Sequence, residues 1–188
     1  MGISLIDEKE NLLYFLASPG NATQQYLYRC RLDGKGQAER VTPANEPGTH
    51  NYYLSPDGRY AVHSFSNYYT RPSAEWISLP SHETLSGSPS VNLPLAADSI
   101  ASNISFFTLK TADGVSMDGW MQKPRNFDPA KKYPVLFYVY SEPGSQTVLD
   151  KYGEVHNRLY EGSLSDDGYI YISLDNRGTP AAKGAAWR

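Results

Sequence analysis

Apolar and polar residues alternate in short runs through the first half of the chain, and turn residues cut each run. LLYFLAS (12–18) is a short apolar strand ended by Pro19-Gly20-Asn21. QQYLYRCRL (24–32) sets Tyr26, Tyr28 and Cys30 against Leu27, Arg29 and Arg31, and Asp33-Gly34 then turns the chain. QAERVTP supplies another short strand. HNYYLSPDGRYAVHSFSNY (50–68) reads as two strands joined by Ser55-Pro56-Asp57-Gly58, and AEWISL (74–79) as one more. In that turn Pro presets φ, Asp bonds local backbone and Gly accepts a positive φ. Short strands with regular turn signals predict a sandwich, barrel or propeller. Residues 81–98, SHETLSGSPSVNLPLAAD, are rich in Ser and Pro and form the candidate linker.

From about residue 99 the pattern changes. FFTLKTADGVSMDGWMQKP predicts a hairpin around Asp113-Gly114, and PVLFYVY (134–140) is a continuous apolar run of the kind found in strands buried on both faces. Val148, Tyr152, Val155 and Leu159 are spaced four, three and four apart, which predicts a helix from Thr147 to about Leu164, stopped by Ser165-Asp166-Asp167-Gly168. YIYISL (169–174) is a second buried-type strand. Strand, helix and strand with short joints predict a crossover unit of a parallel sheet. The expected fold class is therefore mixed, with all-β blades in residues 1–95 followed by α/β structure in residues 96–188.

Composition narrows the functions. The 188 residues carry 40% hydrophobic and 20% charged residues, enough for a packed core. A net charge of −3 with no long basic run argues against nucleic-acid and anionic-membrane partners. No apolar run is long enough to span a bilayer. Cys30 is the single cysteine, so an internal disulfide and CxxC sites are excluded, and its strand setting predicts a buried structural thiol. His50, His63, His82 and His156 form no HxxxH or HExxH pair, so no metal site is expected. His50 and His63 read as structural, and His82 and His156 as solvent-facing. Phosphate-binding glycine loops are missing, and no cofactor is expected.

Three stretches together, SPDGRYAVHSFSNYYTRP (55–72), KKYPVLFYVYSEPGSQTV (131–148) and LDNRGTPAAKGAAWR (174–188), resemble the dipeptidyl peptidase IV branch of the prolyl oligopeptidase family of serine peptidases. The resemblance implies a β-propeller followed by an α/β-hydrolase domain. Residues 1–95 would be closing blades, and residues 96–188 the opening of the hydrolase domain. It also implies removal of N-terminal dipeptides after Pro or Ala by a Ser, Asp, His triad in that chain order. No G-x-S-x-G elbow occurs in the sequence; Ser88 and Ser163 lack its spacing. The chain is thus expected to be a fragment, inactive alone. A periplasmic or cell-surface location follows from the resemblance only.

By the same resemblance Tyr140 matches the oxyanion-hole tyrosine. A phenol keeps its proton at neutral pH, with an ordinary pKa of about 10, and can donate to a developing oxyanion. Ser141 and Glu142 stand where small residues, often glycines, are common. Glu142 is a candidate ligand for the substrate's amino terminus, and Pro143 fixes the turn. Asp175 follows a buried strand, but chain order argues against its being the triad acid. Asp175 and Arg177 are candidates for supporting the site from behind. Two other readings stand beside this one. One is a non-catalytic β-rich module binding peptide or glycan through Tyr52, Tyr53, Tyr68 and Tyr69, although paired tyrosines in a strand usually put one ring in the core. The other is a pseudoenzyme assembly part. Open strand edges predict self-association.

Overall fold

A computed structural model of the chain describes residues 2–87, 103–155, 157 and 159–187. The second half of the candidate linker, Ser88 and His156 lie outside the described residues. The chain forms two compact units, one of residues 1–94 with 150–152, the other of residues 95–149 with 153–188.

Among its described residues the first unit holds seven strands. β1 (Gly2–Asp7), β2 (Leu12–Ala17), β3 (Tyr26–Arg31) and β4 (Glu39–Arg40) form one antiparallel meander. β5 (Thr49–Leu54), β6 (Tyr60–Ser66) and β7 (Ser73–Ser78) form another. The alternation read from sequence sets the faces of the second sheet. His50 and Tyr52 on β5, and Ala61 and His63 on β6, point inward, while Tyr53, Tyr60 and Val62 point out. Tyr14 and Leu27 of the first sheet, with Val41 just after β4, join Tyr52, Ala61 and Ile77 of the second, with Leu79 just after β7, in one hydrophobic core. Arg40 lies over the Tyr26 ring, 3.6 Å from its centroid, so its charge also covers apolar surface. In the β5–β6 turn Asp57 accepts from Ser55 Oγ (2.6 Å) and from the Arg59 backbone N–H (3.2 Å). Asp150 belongs to this unit. Its carboxylate accepts from Gln24 Nε2 (2.7 Å) and the Tyr68 N–H (2.9 Å), and its own N–H donates to the Thr23 carbonyl (2.7 Å).

In the second unit β8 (Ile104–Lys110) and β9 (Ser116–Gln122) make the expected hairpin, with Gly114 at φ +87° in its turn. β10 (Val135–Tyr138) and β11 (Ile170–Leu174) pair in parallel, and the sheet order is β10-β11-β9-β8. Gly119 on β9 lies opposite Phe107 on β8, whose ring occupies the space of a side chain; a Cβ at 119 would come within 2.4 Å of it. Trp120 is buried and meets Tyr171 edge-on at 4.8 Å. A short 3₁₀ turn (Ala185–Trp187) ends the described chain, with Trp187 Nε1 donating to Thr179 Oγ1 (3.2 Å).

The structure corrects four expectations. No helix forms among the described residues between Thr147 and Leu164. Val148 and Val155 are buried, but Leu159 is 92% exposed, and the left-handed Gly153 (φ +81°) interrupts any helical path. PVLFYVY is not buried on both faces: β10 is the edge strand of its sheet, and Val135 and Phe137 are more than half exposed. Residues 2–7 add a strand, β1, ahead of the first predicted one. His82 is not a solvated loop residue but half-buried, with Nε2 2.9 Å from the Tyr52 hydroxyl. Cys30 is a half-buried free thiol.

Burial holds the Tyr171 phenol up at about 12, with the neighbouring Tyr138 acting in the same direction. An unfolded tyrosine titrates near 10. The unfolded chain therefore loses this proton first as pH rises. Stability from this group is intact below about pH 10 and lost as pH climbs through about 12. Near-UV circular dichroism with tyrosinate absorbance should show tertiary structure failing in that window, later in Tyr171→Phe. Coincident transitions in the two proteins would count against the buried phenol as the cause.

Candidate functional site

The candidate site is the segment that leaves the C-terminal end of β10, the end at which sheets with parallel strands carry their ligands. Tyr140 follows β10 by two residues and is 39% exposed. Its hydroxyl makes no hydrogen bond among the described residues. The ring folds over its own turn, so that a Cβ at Gly144 would stand 3.2 Å from the hydroxyl oxygen. Glycine at 144 thus lets the phenol lie where it does. Ser141 has φ +62°, a left-handed conformation that costs an L-residue about 1 kcal/mol or more. This explains why glycine suits such a position and serine departs from it. Ser141→Gly should therefore be neutral or stabilising by up to about 1 kcal/mol, since relief of strain is offset by glycine's entropy. A urea midpoint lowered by the substitution would show that serine's own contacts outweigh the strain.

Glu142 and Pro143 are exposed at the tip of this turn. Arg177 is also exposed and forms no ion pair among the described residues. Its charge reaches Asp113, whose carboxyl is held below its usual range mainly by the Thr111 hydroxyl and less by Arg177.

Asp175 is the anchor behind the turn. It is 1% exposed and sits at the end of β11. Its Oδ1 accepts from the Thr147 N–H (2.7 Å) and hydroxyl (2.9 Å), and its Oδ2 from the Val148 N–H (3.2 Å). Because the Thr147 hydroxyl gives its proton to Asp175, Ser173 Oγ, 3.0 Å away, must donate to Thr147. The Thr147 carbonyl in turn accepts from Trp120 Nε1 (3.0 Å). All three polar groups of Thr147 are thus held from β9 and β11. The turn bearing Tyr140 is fixed at one end by β10 and at the other by Thr147. Thr147, Trp120 and Ser173 were not singled out in the sequence. A buried tryptophan in need of an acceptor was the available signal.

The N-terminal 72 residues match the family model described as the dipeptidyl peptidase IV (DPP IV) N-terminal region. A probable dipeptidyl-aminopeptidase B of Emericella nidulans is 33% identical over 183 residues, covering 93% of this chain and 19% of the relative. A dipeptidyl-aminopeptidase B of Aspergillus niger is 32% identical over 180 residues, with the same coverage. Over nearly its whole length the chain is similar to dipeptidyl peptidases of this family. The crystal structure of Porphyromonas gingivalis dipeptidyl peptidase 4 shares its fold, with a TM-score of 0.80 and 23% identity over the whole of this chain and 26% of that one. The chain spans about a fifth of the length of these curated relatives. The antiparallel blade-like sheets of its first unit are what a propeller-type member of the dipeptidyl peptidase IV family contains.

Proposed function

We propose that the chain works as part of a serine dipeptidyl peptidase that removes N-terminal dipeptides of the Xaa-Pro or Xaa-Ala type through an acyl-enzyme. Residues 1–95 supply closing propeller blades, and residues 96–188 the first strands of an α/β-hydrolase domain. Tyr140 donates its hydroxyl to the oxyanion of the tetrahedral intermediate. Glu142 binds the substrate's amino terminus from the turn tip, Pro143 stiffens that turn, and Asp175 with Arg177 supports it. The observation that carries the reading is the Tyr140 hydroxyl, half-exposed just past the C-terminal end of β10 and without a hydrogen bond among the described residues. The 188 residues contain no G-x-S-x-G elbow, so the nucleophile must come from sequence outside them.

The test uses Gly-Pro and Ala-Pro chromogenic substrates. The 188-residue chain should be inert, and a longer protein carrying the elbow should turn them over and be silenced by a serine-directed inhibitor. Inhibitor-sensitive turnover by the chain itself would overturn the assignment. The exposed apolar edge at β10 also predicts self-association, which Val135→Lys should reduce in size-exclusion chromatography.

One observation favours the reading as a binding module. Tyr53, Tyr60, Val62 and Trp76 line a concavity of about 360 Å³ on the outer face of β5–β7. Tyr52 and Tyr68 are buried and cannot contribute. Peptide or glycan binding lost in Tyr53→Ala would support that reading.

A further inference from the structure

The inner face of β5–β7 carries a cluster that the peptidase reading does not use. His63 on β6 and Glu75 on β7 are direct cross-strand partners, with Nδ1 and Oε1 2.9 Å apart. His82, in the loop after β7, places its ring edge-on to His63 at 4.7 Å. One ligand-type atom from each of the three lies within 4.8 Å of the others.

The proton arrangement makes this contact unusual. His50 Nε2 faces the Glu46 carbonyl at 2.9 Å, so it must be the protonated nitrogen. In the buried neutral ring the other nitrogen, Nδ1, can then only accept. His63 Nε2, 2.9 Å from that Nδ1, must then donate. A neutral His63 consequently turns a bare lone pair at Nδ1 toward a carboxylate oxygen. Two acceptors at 2.9 Å repel unless something positive lies between them. A proton there would leave a charged imidazolium at a position 2% exposed.

We propose that His63, Glu75 and His82 form a binding site for a divalent transition-metal ion, best suited to Zn²⁺, with a fourth position open to water. Two imidazoles and a carboxylate are a donor set that zinc takes in this number. The partners behind the ligands are those a metal site requires. His63 passes its other N–H to His50, which passes its own to the Glu46 carbonyl. Glu75 Oε2 accepts from Thr84 Oγ1 (2.6 Å), and the Tyr52 hydroxyl holds His82 at Nε2. Tetrahedral bonds of about 2.0–2.2 Å need ligand atoms roughly 3.3 Å apart, so the His63–Glu75 gap widens slightly on binding. His82 is held at φ +59°, a strained backbone that binding would help offset. The ion would tie β6, β7 and the following loop together. The sequence hides this site because His63, Glu75 and His82 lie 12 and 7 positions apart, outside any motif spacing.

The test uses the untagged chain, stripped with chelator and titrated with Co²⁺ and then Zn²⁺. Expected are saturable visible d–d bands of tetrahedral Co²⁺ at one ion per chain, displaced by Zn²⁺. The unfolding midpoint should rise by roughly 5–10 °C at free Zn²⁺ about a hundredfold above Kd. Thr84→Ala, which spares the ligands and the core, should weaken binding about 10- to 100-fold, and Glu75→Gln more than that. Absence of d–d bands together with a metal-independent midpoint would overturn the proposal. Equal affinity in wild type and Glu75→Gln would do so as well, and a His82→Ala chain that fails to fold leaves both of these comparisons intact.

Discussion

In the longer peptidase proposed above, Tyr140→Phe is expected to lower kcat about 100- to 1000-fold while KM stays within about threefold. The substitution keeps the ring over Gly144 and removes only the hydroxyl. Ground-state binding owes little to that group, because a neutral carbonyl gains less from a phenol donor than an oxyanion does. The charge develops in the transition state, and one donor aimed at it contributes about 3 kcal/mol in a site shielded from water. Gly144→Ala is a companion test, since its Cβ would stand 3.2 Å from the present position of the hydroxyl oxygen and displace it. It should reduce kcat in the same direction but by less. Steady-state kinetics on Ala-Pro substrates decides the matter. An unchanged kcat for Tyr140→Phe would remove this residue from the chemistry and leave it a packing group.

Asp175→Ala should cost the second unit about 3–5 kcal/mol. The carboxylate is 1% exposed and satisfies two backbone N–H groups and one hydroxyl. Hydrogen bonds to a charged group are worth about 1.5–3 kcal/mol each, and a buried donor left without an acceptor costs about 1–3. Alanine strands the N–H groups of Thr147 and Val148 together. Such a loss is a large part of the 5–15 kcal/mol that holds a typical domain folded. Asp175→Asn keeps one acceptor but turns an NH₂ toward one of the donors, so about half the loss is expected. Urea unfolding followed by near-UV circular dichroism measures both. A cost below about 1 kcal/mol for the alanine variant would mean that water replaces the carboxylate and that the turn is not anchored here.

The hairpins were legible because alternation with period two, closed by Asp-Gly turns, has few other solutions. Tyr52 inside and Tyr53 outside follow directly from it. The stretch after Thr147 was misread because spacing reports only that apolar residues could share a helical face. It does not report that Asp175, far along the chain, takes the N–H groups of residues 147 and 148. The run at 134–140 was misread for a related reason: apolarity says what a strand tolerates, not how many neighbours cover it. The histidine cluster was invisible because pairing register, not local sequence, brings His50, His63 and Glu75 together. Tyr140 takes its role from the resemblance and Asp175 stands out at the end of an apolar strand, while Thr147, which links them, has no signature of its own.

The threefold grip on Thr147 has a kinetic corollary. Its amide and that of Val148 should exchange with deuterium only when the whole unit opens, whereas those of Ser141 and Glu142, a few residues upstream at an exposed tip, should exchange almost at once. A loop that changes so abruptly along its length can adjust to a ligand at its crest without shifting its foot.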